Sequence, residues 1–169
     1  MCRRPMRKER EMSSKIEIRP GDLLVSGAPI IAHQVNCMGA MGAGVAKAIK
    51  VKYFGVYDIY RRRCAKDGIT LMGTTQFVST PDKTIIANCF AQREFGAGRQ
   101  QTDYDAFRSC MRLLCDFAEK KGIPRIAMPY RIGCGLAGGD WRIVEKIISS
   151  EFERFTGTVE LWDINRPAD

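Results

Sequence analysis

Two glycine-rich stretches in this 169-residue chain carry residue types that could do chemistry: residues 39–44, with Gly39, Gly42 and Gly44, and residues 133–139, with Gly133, Gly135, Gly138 and Gly139. Each follows a run of strand character and precedes a run of helical character. A loop entering a helix offers unpaired backbone N–H groups and the positive end of the helix dipole. Glycine lets that backbone approach a phosphate with no Cβ in the way. Two such loops at one edge of a sheet can wrap a diphosphate. His33 and Asn36 lie just before the first loop. A histidine there has an ordinary pKa suited to acid–base work near neutral pH.

The familiar phosphate motifs fit less well. Walker A requires Lys followed by Ser or Thr after its last glycine, and here Val45 and Ala46 follow Gly44. Residues 133–138 read GxGxxG after a strand and before a helix, with Asp163 at the end of the next strand, which is the context of a dinucleotide fingerprint. Only six residues follow Asp163, too few for further βαβ units. NAD binding stays open as a lesser alternative. The seven cysteines include no CxxC pair, and His33 is the sole histidine, so no metal site and no cofactor are expected.

The elements that must position these residues alternate. Residues 16–19 form a short first strand stopped by Pro20 and Gly21, and residues 30–36 a second. Helical segments follow at 45–53 and 56–66. The runs 73–79 and 84–90 pair as a hairpin, because Pro81 and Asp82 suit the centre of a tight turn. Tyr104, Phe107, Met111, Leu114 and Ala118 recur at helical spacing within a helix over 102–121, with Thr102 and Asp105 resembling a capping box. Asp103 and Asp105 read as helix N-terminal carboxylates, or as a second acid–base group. Residues 125–129 make a fifth strand, Asp140 caps a helix whose inner face is Trp141, Val144, Ile148, Phe152 and Phe155, and residues 158–164 close the sheet. This order predicts an α/β fold with a mixed central sheet and helices on both faces. Ligands in such folds sit beyond the carboxyl ends of the strands, so both glycine loops should share one crevice.

Composition bounds the setting. Hydrophobic content of 45% with 27% charged residues is that of a globular chain long enough for one core. We expect a basic arm at 1–15, one domain at 16–165 and a tail at 166–169. The net charge is +8, of which residues 1–15 supply six basic and two acidic side chains. No apolar run approaches the roughly 20 residues of a membrane span, and the basic start lacks the apolar stretch of an export signal. A cytoplasmic protein with reduced thiols and no membrane partner is expected.

Four segments, in order, resemble the macro domain family over residues 16–165: Gly21-Asp22-Leu23; Val35-Asn36 followed by residues 41–46; Met128-Pro129 followed by residues 132–136; and the closing strand. The resemblance implies a three-layer α/β/α macro-domain-like fold and binding of ADP-ribose or a derivative. It implies that Asp22, next to Leu23, reads the adenine amino group, and that Trp162 or Asp163 borders it. Gly42, Ala43, Gly44 and Val45 would line the diphosphate and distal ribose, Gly133, Cys134, Gly135 and Leu136 would hold the phosphates through backbone N–H groups, and Asn36 would face the distal ribose.

Within the family the sequence is most similar to the compact branch of ADP-ribose 1″-phosphate phosphatases and ADP-ribosyl hydrolases. His33 matches the histidine of the phosphatase members, which implies catalysis by His33 and Asn36 at the distal ribose by a metal-independent hydrolase. The hydrolase members use a lysine at the end of the strand before the long helix and an aspartate after the second loop. Here that strand end reads Ala91-Gln92-Arg93, and the second position is Ala137. Arg93 is no substitute, because guanidinium stays protonated. Removal of a 1″-phosphate is therefore the leading activity, and a non-catalytic ADP-ribose reader the alternative. The expected partners are ADP-ribose or ADP-ribose 1″-phosphate, with an ADP-ribosylated protein or nucleic acid as possible carriers.

Overall fold

The computed structural model describes residues 15–168; the basic arm inferred above lies, apart from Lys15, outside them. Six strands are ordered β1-β6-β5-β2-β4-β3, with ranges β1 Lys15–Pro20, β2 Ile30–Asn36, β3 Thr75–Ser79, β4 Ile85–Gln92, β5 Arg125–Pro129 and β6 Thr158–Asp163. All neighbours are parallel except β3 and β4, which form the expected hairpin. The sheet is mixed, as predicted. Strand β2 sits at the centre and is buried along nearly its whole length, which explains its continuous apolar start.

Four helices cover the two faces: α1 Gly44–Lys52, α2 Val56–Asp67, α3 Tyr104–Lys121 and α4 Trp141–Glu151. Helices α3 and α4 pack Phe107, Met111, Leu114, Val144 and Ile148 against Ile30, Ala32, Ala87 and Ile126. On the other face, Ile49, Tyr53 and Val56 meet Ile31, Ile86 and Ala127. Alternate residues of β2 thus serve opposite layers, as the two-residue period of a strand requires. That makes the three-layer α/β/α arrangement. Among the described residues, no helix is long and apolar enough to cross a membrane.

Three local expectations need correction. Helix α3 is capped by Asp103, whose carboxylate accepts from Ala106 N at 2.9 Å, and not by Thr102, which is buried one residue before the cap. Strand β4 runs two residues past the expected end at 90, because β2 stays alongside it as far as Asn36. Helix α4 stops at Glu151, so Phe152 and Phe155 fill the core from the turn beyond it.

Candidate functional site

The parallel strands point their carboxyl ends at one cleft of about 590 Å³, walled by residues 40–46 on one side and 129–137 on the other. The two glycine loops do share one crevice. Gln92, Phe95 and Gly96 close a third side.

Asn36 builds the first wall. A register shift between Val35 and Asn36 pairs Asn36 with Gln92 and re-aims the strand end. The Asn36 amide then donates to Ala40 O at 2.8 Å, and its Oδ1 accepts from Met38 N at 3.0 Å and Ala40 N at 3.2 Å. The buried Tyr60 hydroxyl lies 2.9 Å from the same Oδ1. Asn36 lines the cleft, yet its side chain is committed to shaping residues 37–40. Beyond it, the N–H groups of Gly42, Ala43, Gly44 and Val45 meet no protein acceptor among the described residues. They sit at the N-terminus of α1, where a negative charge is stabilised.

The second wall is more tightly held. Gly133 has φ +74°, and a Cβ there would lie 2.6 Å from Gln34 Oε1. Its carbonyl accepts from Thr102 Oγ1 at 2.7 Å and from Gly139 N at 2.9 Å. With the carbonyl turned inward, the N–H groups of Gly133, Gly135 and Leu136 meet no protein acceptor among the described residues. Cys134 departs from the expectation. Its N–H donates to Arg131 O at 2.9 Å, its side chain packs into the core, and burial pushes its thiol up to about 11. It is neither a nucleophile nor an anion donor in this geometry.

The floor between the walls is polar. Gln34 Nε2 donates to Thr102 Oγ1 at 2.8 Å and to Gln92 Oε1 at 3.0 Å, and Gln92 Nε2 donates to Glu94 O at 2.8 Å. One hydrogen-bonded path therefore joins the ends of β2 and β4, the loop 93–102 and the second glycine loop. Ala137 O strengthens that junction by accepting from Gln101 N and Thr102 N.

His33 also lines the cleft but is almost wholly buried. Its Nε2 lies 2.6 Å from Asn88 Oδ1, and Asn88 Nδ2 donates to Gln76 Oε1 at 3.0 Å. An amide oxygen can only accept, so Nε2 carries the proton and Nδ1 keeps its lone pair. Among the described residues, Nδ1 is buried without a protein partner, as is Gln34 Oε1. Burial lowers the imidazole to about 4, only partly opposed by the Asn88 hydrogen bond. The expectation of a pKa suited to neutral pH is thereby corrected: desolvation disfavours the cation, and His33 offers an acceptor rather than a proton.

Asp22 and Leu23 lie outside the lining of this cleft. The Asp22 carboxylate caps the short turn after β1, accepting from Leu24 N at 2.9 Å, while Leu23 is buried in the core. A Cβ on Gly21, which has φ +109°, would lie 3.8 Å from the Trp162 ring, and Trp162 Nε1 is held by Glu160 at 2.9 Å. Asp103 and Asp140 serve as helix caps, the latter accepting from Arg142 N at 2.9 Å.

Sequence reasoning missed Gln34, Gln92, Phe95, Tyr130 and Arg131 in the lining. Position at strand ends was the available signal for the two glutamines. For Arg131 there was none, since its left-handed φ of +58° is visible only in the backbone.

Comparison with known proteins matches a family described as the Macro domain to residues 32–148. An ADP-ribose 1″-phosphate phosphatase of Chaetomium globosum is 27% identical over 155 residues, covering 80% of this chain and 83% of that protein. A DNA ADP-ribosyl glycohydrolase of Mycobacterium tuberculosis is 29% identical over 139 residues, covering 79% of this chain and 38% of that longer one. A solved protein of unknown function from Bacteroides thetaiotaomicron superposes with a TM-score of 0.80 at 30% identity, over 89% of this chain and 98% of that one.

Proposed function

This chain belongs to the macro domain family, and from that premise we propose that its cleft binds ADP-ribose and hydrolyses a group on the distal ribose. The observation that carries the reading is the pair of loops whose N–H groups, at Gly42 to Val45 and at Gly133, Gly135 and Leu136, meet no protein acceptor among the described residues and border one cavity. Such donors suit a diphosphate, which accepts many hydrogen bonds and is stabilised at a helix N-terminus. The floor of Gln34 and Gln92, in the cleft that Phe95 also lines, would receive the distal ribose.

Of the activities named for the relatives, removal of a 1″-phosphate fits these residues better. Gln92 ends β4 where the resemblance calls for a lysine, and an amide cannot form a lysine adduct. His33 Nδ1, an acceptor with no protein partner among the described residues, would orient a water. The water oxygen attacks phosphorus, the bond from phosphorus to the ribose oxygen breaks, and the proton released by the water goes to the departing oxygen. ADP-ribose and inorganic phosphate result. Rate would come from positioning and from oriented backbone dipoles around the developing charge.

A non-catalytic reader remains the second reading, favoured by the depth of His33 and by the neutral, already paired amides of the floor. Calorimetry with ADP-ribose and with NAD, beside phosphate release from ADP-ribose 1″-phosphate, separates these. The proposal expects heat with ADP-ribose, weaker binding of NAD, and phosphate release that His33→Gln slows at least tenfold. Binding without release leaves the reader, and preference for NAD over ADP-ribose refutes the assignment.

A further inference from the structure

We propose that Arg131 is the counter-charge that selects a diphosphate-bearing ligand in the cleft, its guanidinium pairing with the pyrophosphate held between the two glycine loops. The inference rests on the ADP-ribose reading and assigns a specificity-determining residue within it.

Charge inside the cleft is the first observation. Among the described residues that line it, Arg131 is the one side chain with a formal charge, since His33 is neutral near neutral pH. Aspartate and glutamate are absent from that lining, so Arg131 balances no carboxylate of the protein there. Among the described residues, its guanidinium has no carboxylate within 4.0 Å and donates no hydrogen bond to the protein. The arginines on either side of it in sequence are tied down: Arg125 to Glu160 at 2.9 Å and Arg142 to Asp140 at 3.0 Å. A guanidinium left unpaired beside a cleft matches a phosphate bidentately.

The backbone is the second. Ile132 N donates to Pro129 O at 3.1 Å, closing a β-turn with Arg131 at its third position and φ +58°. That position favours glycine or asparagine, and a long side chain is held there at a cost. Lys83, the other non-glycine residue with positive φ among the described residues, stands outside the cleft lining. Closure of the β3–β4 hairpin, with Thr80 N donating to Thr84 O at 2.9 Å, accounts for it. The turn at 129–132 makes no such demand for an arginine. A ligand does.

Position along the sheet is the third. Tyr130 N donates to Trp162 O at 2.8 Å, which ties the end of β5 to that of β6. On its other side β5 neighbours β2, which runs into the first glycine loop. Gln34 and Gln92, the floor for the distal ribose, lie further along on β2 and β4. Arg131 therefore stands at the place of the diphosphate and not of the distal ribose. Its charge also acts on the Cys134 thiol, partly opposing the upward push of burial, which sets the guanidinium beside the second glycine loop. The loop N–H groups supply partial charges only. Arg131 supplies a whole one.

The test is calorimetric titration of the full chain with ADP-ribose and with ADP, which keeps the diphosphate and lacks the distal ribose, across a salt series. Arg131→Gly and Arg131→Asn both suit the positive φ of the turn. Each should bind either ligand roughly tenfold more weakly, as loss of a bidentate charge-assisted pair requires, with the two ligands losing by the same factor. The salt dependence of affinity should flatten in both variants. Arg131→Lys, which keeps the charge but not the fork, should fall between them and the wild type. The urea midpoint of the glycine and asparagine variants should stand at or above that of the wild type, which a merely structural arginine would reverse. Lys66→Ala, which removes an equal charge outside the cleft, should bind within about twofold of the wild type. Wild-type affinity or undiminished salt dependence in Arg131→Gly overturns the proposal. So does a lowered urea midpoint in both variants, or a loss with ADP-ribose that ADP does not share, which would move the charge to the distal ribose. Absence of heat with ADP-ribose in the wild type would instead refute the ligand assignment itself, and this pairing with it.

Discussion

Thr102→Val removes one hydroxyl at the junction of three cleft elements. Thr102 is 2% exposed, donates to Gly133 O at 2.7 Å and accepts from Gln34 Nε2 at 2.8 Å. Valine matches its shape but makes neither bond. A buried group left unsatisfied costs about 1–3 kcal/mol. Here both partners keep a second bond, Gly133 O with Gly139 N and Gln34 Nε2 with Gln92 Oε1. The loss should therefore fall near the low end, about 1–2 kcal/mol by urea unfolding. Binding should suffer separately, because the Gly133 carbonyl loses the bond that turns it inward and the adjoining N–H groups lose their aim. Calorimetry should show ADP-ribose affinity reduced by about 1.4 kcal/mol, or tenfold. Thr102→Ser, which keeps the hydroxyl, should bind within about twofold of wild type, a difference of roughly 0.4 kcal/mol. A valine variant that loses stability but binds ADP-ribose normally would refute the claim that this bond sets the loop.

Three further outcomes follow from named contacts. Gly133→Ala sets a Cβ 2.6 Å from Gln34 Oε1 at φ +74°, so binding should fall further than in Thr102→Val, with about 1–3 kcal/mol lost in denaturant unfolding. His33 is lowered to about 4 against an ordinary 6.5, so the unfolded chain binds the extra proton first. Stability is therefore full above pH 6.5 and falls as pH drops towards 4, by about 3 kcal/mol in all, a loss that His33→Gln should abolish in pH-dependent unfolding. Glu160→Ala strips the buried carboxylate that holds Arg125 at 2.9 Å and Trp162 at 2.9 Å, and thermal unfolding should report about 1–3 kcal/mol, moderated because Arg125 is partly exposed and retains Ser26 O.

The strand and helix order was legible because each element carries its own period, α3 most clearly through Phe107, Met111, Leu114 and Ala118. The glycine loops were legible for a different reason: their residue type fixes what the backbone can approach. Thr102 was misread because Asp103 beside it is an equally good cap, and only packing decides which of two adjacent polar residues turns inward. The same limit hid the path from Gln34 through Thr102 to Gly133, since its members are 68 and 31 residues apart. His33 shows the converse. Its presence was plain, but its acceptor role comes from Asn88, 55 residues away, and from burial that no local pattern records.

The most direct measurement follows backbone amide resonances of the isotope-labelled protein as ADP-ribose is added. Simultaneous, saturable shifts at Gly42 to Val45 and at Gly133, Gly135 and Leu136, with Cys134 N–H still bonded to Arg131, are the predicted result. Shifts confined to one loop, or none at either while another surface responds, would contradict a diphosphate gripped between the two.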